Sequence, residues 1–384
     1  MPVLQLPVVS LENGAPLGML GRSALLPRLQ AARLPVRLRL PTPGRLRDHL
    51  IGGKVRRVAD PITFTPFASA RPCSARCVFC SETMVHRDAR LLSASLRPPP
   101  DYADGLRQAL TQLAGLPLSV SLSGLEASDD PDWLEGVIAA LDDHERRAGL
   151  VQEKVLYTNA AGLARETSGT RLLPLLRDYQ LTRAEVSRHH PHQTINGTIM
   201  RFRPGQPIAE QEVFERTVRD LHDHAPVRLV CVLQAAGIAC LDDVLAYLAW
   251  ARRLGVRDVV FRELSRPGGD YLPNSTFRVV QRERVGLEPL VADLLDRLEK
   301  GGLTLEPEAL TAGYYFWNLQ LRGPDGMLVT LETSDYHEMK QRHASDVVYK
   351  LVYHANGNLC GDWSPERQVL WSWGSKADGG RSGD

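Results

Sequence analysis

From residue 60 onward, short apolar runs alternate with amphipathic stretches, and this alternation leaves few folds open to the chain. The apolar runs are Pro61 to Phe67, Leu118 to Ser123, Lys154 to Thr158, Arg183 to Ser187, Val227 to Leu233 and Val259 to Leu264. Helical spacing is found at Asp130 to Arg147, Arg171 to Tyr179, Glu210 to His224, Leu241 to Leu254 and Thr276 to Lys300. In the first of these, Asp130 is placed to cap, Pro131 suits the first turn, and Leu134, Val137, Ile138 and Leu141 share one face. Gly255 and Gly301-Gly302 mark helix ends. Six strands alternating with helices build parallel βα units. Six units close only partly, so the expected fold is α/β, a partial (β/α)6 TIM-like barrel. In such barrels the functional end lies at the C-terminal ends of the strands.

After residue 305 the pattern changes. Thr311 to Leu321 is rich in aromatic residues, and Met327 to Glu332 and Asp346 to Tyr353 read as strands, together a small C-terminal antiparallel β extension packed on the barrel. The expected divisions are an N-terminal extension (1–55), a core (56–303), a β-rich cap (304–375) and a disordered Gly/Ser/Asp-rich tail (376–384). Tyr314 to Trp317, Trp363, Trp371 and Trp373 are candidates for a lid over the barrel mouth or for the core of the cap.

The loop after the first strand carries Cys73-Ser-Ala-Arg-Cys77-Val-Phe-Cys80, a C-x3-C-x2-C spacing. Three close thiolates can hold three irons of a [4Fe–4S] cube and leave the fourth iron open. An open coordination position on a metal is a chemical site. The alternative is structural zinc, which takes four ligands. Against it, the other cysteines, Cys231, Cys240 and Cys360, are scattered singly, and His86 is the one further ligand nearby. Six cysteines in 384 residues are too sparse for a disulfide framework in a chain of this size.

Composition narrows the function. A formal net charge of +1 offers no general attraction to nucleic acid or to an anionic membrane. The basic cluster from Arg22 to Arg47 is interleaved with Leu and fits an N-terminal subdomain. No signal-peptide pattern and no run of 18 apolar residues is present. The expectation is a cytoplasmic protein, since an iron–sulfur cluster also calls for a reducing compartment.

The cysteine loop, its place after a first strand and the six βα units resemble the radical S-adenosylmethionine (radical SAM) superfamily over residues 58 to 270. The branch it resembles contains the molybdenum-cofactor cyclase and the SPASM/twitch-type peptide-modifying enzymes. The resemblance implies that Cys73, Cys77 and Cys80 bind the cluster, that the open iron takes the amino and carboxylate groups of SAM, and that Phe79 lies against the adenine. Ser123-Gly124-Leu125-Glu126 is similar to the family's Gly-Gly-Glu segment, which binds the methionine amino group. It departs from that pattern at Ser123 or Leu125, and the role needs chiefly the backbone carbonyls that Gly124 exposes. Tyr157-Thr158-Asn159 is similar to the Thr-Asn-Gly of the branch, which implies that Asn159 contacts SAM. Ser187 is implied at the SAM ribose or carboxylate, and Arg188 as the bidentate partner of that carboxylate. Leu264 is implied as a backbone contact to the adenine. Arg262 and Glu263 beside it are read as a structural pair.

His189, His190 and His192 fall at the barrel mouth. One is a candidate proton donor or substrate ligand, and the alternative is a solvated histidine loop. Tyr353 to Cys360 resembles a hairpin that elsewhere precedes an auxiliary cluster. Cys360 is the only cysteine after residue 240, so one cluster is expected here. Cys360 itself is either a thiol hydrogen donor facing substrate or a small buried residue.

The implied activity is reductive cleavage of SAM and hydrogen abstraction by a 5′-deoxyadenosyl radical. The class of outcome (oxidoreductase, lyase or isomerase) is not encoded in these motifs. The expected substrate is a small polar molecule such as a sugar, nucleoside or aminocyclitol of a biosynthetic pathway, with a reductant such as flavodoxin or ferredoxin as partner. Maturation of a ribosomally made peptide is the second reading. A non-catalytic zinc scaffold and an RNA-modifying enzyme are readings from other classes, the latter needing a basic groove that the sequence does not show.

Overall fold

Each of the six apolar runs becomes a strand, and the six lie side by side in chain order. The computed structural model describes residues 6–11, 17–40, 43–67, 69–87, 91–147 and 149–374, so the expected tail lies outside the described residues. The strands are β1 (Lys54–Phe67), β2 (Pro117–Leu122), β3 (Leu150–Thr158), β4 (Arg183–Ser187), β5 (Val227–Leu233) and β6 (Asp258–Glu263). Every neighbouring pair among them is parallel. The helices that follow are α1 (Tyr102–Thr111), α2 (Pro131–Arg147), α3 (Glu166–Asp178), α4 (Gln193–Met200), α5 (Gln211–His222) and α6 (Leu241–Arg253). The stretch read as one helix from Thr276 to Lys300 is two, α7 (Ser275–Glu283) and α8 (Leu287–Glu299). The break falls at Arg284, whose side chain pairs with Glu263 and donates to the Leu264 carbonyl at 3.1 Å.

The strands alternate strictly. Ala184, Val186, Leu229, Cys231, Leu233, Val259 and Phe261 join the large apolar core shared with the helices. The residues between and beside them face the other way; Val230, Val232 and Val260 are apolar, whereas Arg183, Glu185, Arg228 and Arg262 carry charge. Arg183 bonds Glu153 at 2.6 Å and Glu185 at 2.8 Å, Arg228 reaches Glu185 at 3.4 Å, and Arg262 bonds Glu332 at 2.6 Å. The inner face of the sheet is thus a lattice of ion pairs, as buried charges require. The expected Arg262–Glu263 pair does not form, because adjacent strand residues face opposite sides. Arg262 pairs inward with Glu332, and Glu263 pairs outward with Arg284.

The C-terminal strands continue the sheet at both edges. At the β6 edge lie β7 (Glu306–Ala312), β8 (Trp317–Arg322) and β9 (Leu328–Glu332), mutually antiparallel, with β9 parallel to β6. Helix α9 (Tyr336–His343) then leads to β10 (Val347–His354), which is parallel to β1 at the far edge. The antiparallel strands β11 (Asn358–Cys360) and β12 (Val369–Ser372) follow. The parallel row therefore runs β9-β6-β5-β4-β3-β2-β1-β10. The extension covers both edges, each of which would otherwise present unpaired backbone. The N-terminal residues also enter the sheet. Val36–Leu38 pairs with β7, and Leu46–Ile51 forms a hairpin with the start of β1 across Gly52-Gly53, where φ is 58° and 74°. Among the described residues no helix is long and apolar enough to cross a membrane.

Candidate active site

The cysteine loop leaves the C-terminal end of β1 and is tied down on two sides. The Ser74 amide donates to Asp129 at 2.7 Å, and Arg203 donates to the Cys73 carbonyl at 2.8 Å. The Val78 amide donates to Ile199 at 3.0 Å and the Arg76 amide to Met200 at 3.1 Å, both at the end of α4. Cys73, Cys77 and Cys80 are free and half-buried. All three line one cavity of about 480 Å³, with Leu125, Thr276 and Val279 in its walls. Arg76, Arg97 and Arg201 stand exposed at its rim.

Burial pushes the Cys73 thiol up to about 12 and Cys80 to about 11, and nearby carboxylates add to the effect. Cys77 is raised further, by burial and then by the other two cysteines. Such thiols give up their protons to a metal centre and hold them otherwise. Among the described residues, no three His, Cys, Asp or Glu side chains converge closely enough for a single metal ion. A four-iron cube places each thiolate on a different iron, so it suits ligands spread around a cavity. The Cys73 sulfur already accepts from the Ala75 amide at 3.4 Å and from the Asn159 side chain at 3.7 Å.

The turns after β2 and β3 meet beside this loop. Gly124 has φ 113°, and a Cβ there would stand 2.1 Å from the Phe67 ring. Only glycine lets this turn close against β1. Ser123 bonds Ser121 at 2.8 Å. Glu126 is fully engaged within the protein, accepting from Thr158 at 2.6 Å, the Asn159 amide at 2.5 Å and the Ser128 amide at 3.1 Å. It organises the two turns. Asn159 also donates to Ser74 at 3.1 Å, so it braces the cysteine loop. Ser187 ends β4 on the same face as Arg183 and Glu185.

Phe79 and Leu264 come together in a small apolar cluster with Met84, Tyr271 and Val280. His189 is buried with its ring edge-on to Phe79, 4.9 Å between centroids. Its Nδ1 accepts from the Val232 amide at 3.0 Å, and burial lowers its pKa to about 3, so it is neutral. His190 does not line the cysteine cavity, and its Nδ1 accepts from the His192 amide at 2.9 Å. Arg188 differs from the expectation. It follows inward-facing Ser187, so its side chain is on the helix side, 4.6 Å over the Phe214 ring and bonded to the His190 carbonyl at 3.0 Å. Cys360 is fully buried in β11 with Pro365 as its neighbour at 3.8 Å, and it lines neither cavity.

A second cavity of about 180 Å³ adjoins the first, and Glu82 lines both. Its walls come from the end of the cysteine loop, from α9 and from the β10 edge. Lys350 faces it with its ammonium 3.5 Å over the Trp363 ring. Burial brings Lys350 down to about 7 and Glu82 up to about 7. Neither residue was singled out from the sequence. The available signal was a lone lysine inside the apolar run Val347-Val-Tyr-Lys350-Leu-Val-Tyr353. Of the aromatic candidates, Tyr315 and Trp363 reach this cavity, whereas Trp317 is buried core.

No protein-family description matches the chain, and no curated protein matches it. Among solved structures it is similar to SuiB of Streptococcus suis bound to S-adenosylmethionine, at 13% identity and a TM-score of 0.44, over 79% of this chain and 60% of that one. It is similar to anSMEcpe with bound AdoMet at 12% identity and a TM-score of 0.44, over 79% and 74%. It is also similar to HemN, the coproporphyrinogen III oxidase of Escherichia coli described as a radical SAM enzyme, at 13% identity and a TM-score of 0.38, over 69% and 67%. The chain spans about 60% of the length of SuiB.

Proposed function

We propose that the protein is a radical SAM enzyme acting on a small polar molecule, with one [4Fe–4S] cluster held by Cys73, Cys77 and Cys80. When bound there together with SAM, the cluster would supply the one-electron reduction that starts radical chemistry on the substrate. The observation that carries this reading is the convergence of the three free cysteines on one cavity at the C-terminal end of a parallel sheet, where βα folds bind ligands.

The residues around the cavity have separable tasks. The Gly124 turn brings backbone carbonyls within reach of a methionine amino group. Asn159 and the Ala75 amide donate to the Cys73 sulfur, and Glu126 fixes the turn from which Asn159 projects. Phe79, Leu264 and Met84 form an apolar cluster next to the cysteine loop, a surface suited to an adenine ring. The exposed Arg76, Arg97 and Arg201 rim suits an acidic one-electron donor such as flavodoxin or ferredoxin. The same solvent-open rim favours the second reading, in which an extended peptide reaches the mouth.

The test is anaerobic reconstitution with iron and sulfide, reduction, addition of SAM and detection of 5′-deoxyadenosine, with Cys77→Ala as control. Release that depends on all three cysteines is expected. A colourless protein that keeps stoichiometric zinc and leaves SAM intact would overturn the reading.

A further inference from the structure

The second cavity contains charges of two kinds. Some are already matched. Lys340 donates to Asp270 at 2.8 Å and to His86 at 2.6 Å, and Asp362 accepts from the Ser364 amide at 2.8 Å. Two are not. Glu82 and Lys350 both line the cavity, yet neither side chain makes an ion pair or hydrogen bond among the described residues. They come from different elements, Glu82 from the end of the cysteine loop and Lys350 from β10. Holding an acid and an amine in their charged forms in one buried cavity, each without a polar partner, is costly unless something with complementary ends lies between them.

We propose that this cavity is the substrate site and that it takes a small zwitterion, an α-amino acid or close analogue, with its carboxylate toward Lys350 and its ammonium toward Glu82. The proposal rests on the radical SAM reading and adds the class of substrate to it. The volume agrees: an engineered cavity of about 150 Å³ takes up benzene, and this one is about 180 Å³. Tyr271, Tyr315 and Tyr336 supply apolar surface for the body of the ligand. Trp363 holds the Lys350 ammonium in place through its ring face. Glu82 belongs to both cavities, so a ligand bound to it lies beside the cysteine site, where a substrate must be.

The test uses the reconstituted holoenzyme with SAM, under anaerobic conditions. The probes are the free α-amino acids from glycine to leucine in size, each beside its α-amide and its deaminated acid, with affinities measured by calorimetry. At least one amino acid should bind about tenfold or more tightly than both of its partners, since a charge-assisted hydrogen bond is lost in each. Lys350→Met should reduce that amino acid to the affinity of its amide, Lys350→Arg should preserve the preference, and Glu82→Gln should reduce it to the affinity of the deaminated acid. Iron content and substrate-free release of 5′-deoxyadenosine are read in the same samples. If SAM is cleaved but no amino acid outbinds its amide and its acid, or if Lys350→Met leaves the preference intact, the zwitterion site is wrong and the radical SAM reading stands. If amino acids bind with this preference but no cluster forms, the radical SAM reading fails and the ligand site stands.

Discussion

The side-chain amide of Asn159 donates to the Cys73 sulfur at 3.7 Å and to the Ser74 hydroxyl at 3.1 Å. One residue at the end of β3 thus touches both the thiol and the backbone turn that presents it. Hydrogen bonds to cysteine sulfur stabilise the more negative, reduced cluster and raise its potential. Asn159→Ala should therefore lower the reduction potential by about 40 mV, taking roughly 1 kcal/mol for the lost bond. Potentiometry followed by electron paramagnetic resonance measures this. Full iron content with an unchanged potential would mean that the contact has no electronic effect.

Acid should weaken the inner ion-pair lattice through Glu153. Burial pushes this carboxyl up, but Arg39, Arg183 and the Ser119 hydroxyl outweigh it and hold the pKa near about 2. A folded-state value below the ordinary one stabilises the protein above pH 4.5, and that contribution is lost as pH falls toward 2. Its size is about 3 kcal/mol at most. Glu153→Gln should cost most of this at pH 7, and the gap from wild type should narrow below pH 4.5. Urea unfolding at several pH values reads the difference. A gap that stays constant with pH would show that Glu153 is not the titrating group.

Arg188 makes its bonds on the helix side of β4, away from the cysteine cavity. Arg188→Met should cost about 1–3 kcal/mol of stability, because the His190 and Pro191 carbonyls lose their donor. The KM for SAM should stay within about twofold, since no ground-state contact is removed. A tenfold or larger rise in that KM, with unfolding unchanged, would restore the carboxylate-binding role that the motif implied.

Much of the fold was legible because its signals are local. The run read as Leu118 to Ser123 is Pro117–Leu122 in the structure, and Val259 to Leu264 is Asp258–Glu263. The strand read from Lys154 begins earlier, at Leu150, because Gln152 and Glu153 interrupt its apolar run while still lying in the sheet. What the sequence left open was pairing at a distance. Nothing near Val347–His354 says that it lies along β1, or that β7 to β9 go to the opposite edge. The same gap explains the site. The cysteines announced themselves by spacing, whereas Lys350 becomes a candidate only when β10 is placed beside the cysteine loop. Arg188 was misplaced for a simpler reason: the motif named the residue, but the two-residue period of β4 decides its face.

The parallel pairing of β10 with β1 also sets an order of events. Leu351 sits beside Phe64, so the strand that feeds the cysteine loop gains its second parallel neighbour only after Val347–His354 has left the ribosome. Until then the wall that carries Lys350 and Trp363 does not exist, and the second cavity, next to the cysteine loop, is open on that side. A nascent chain would complete the cavity around its three thiols, whose walls end at Val279, well before it owned the second one.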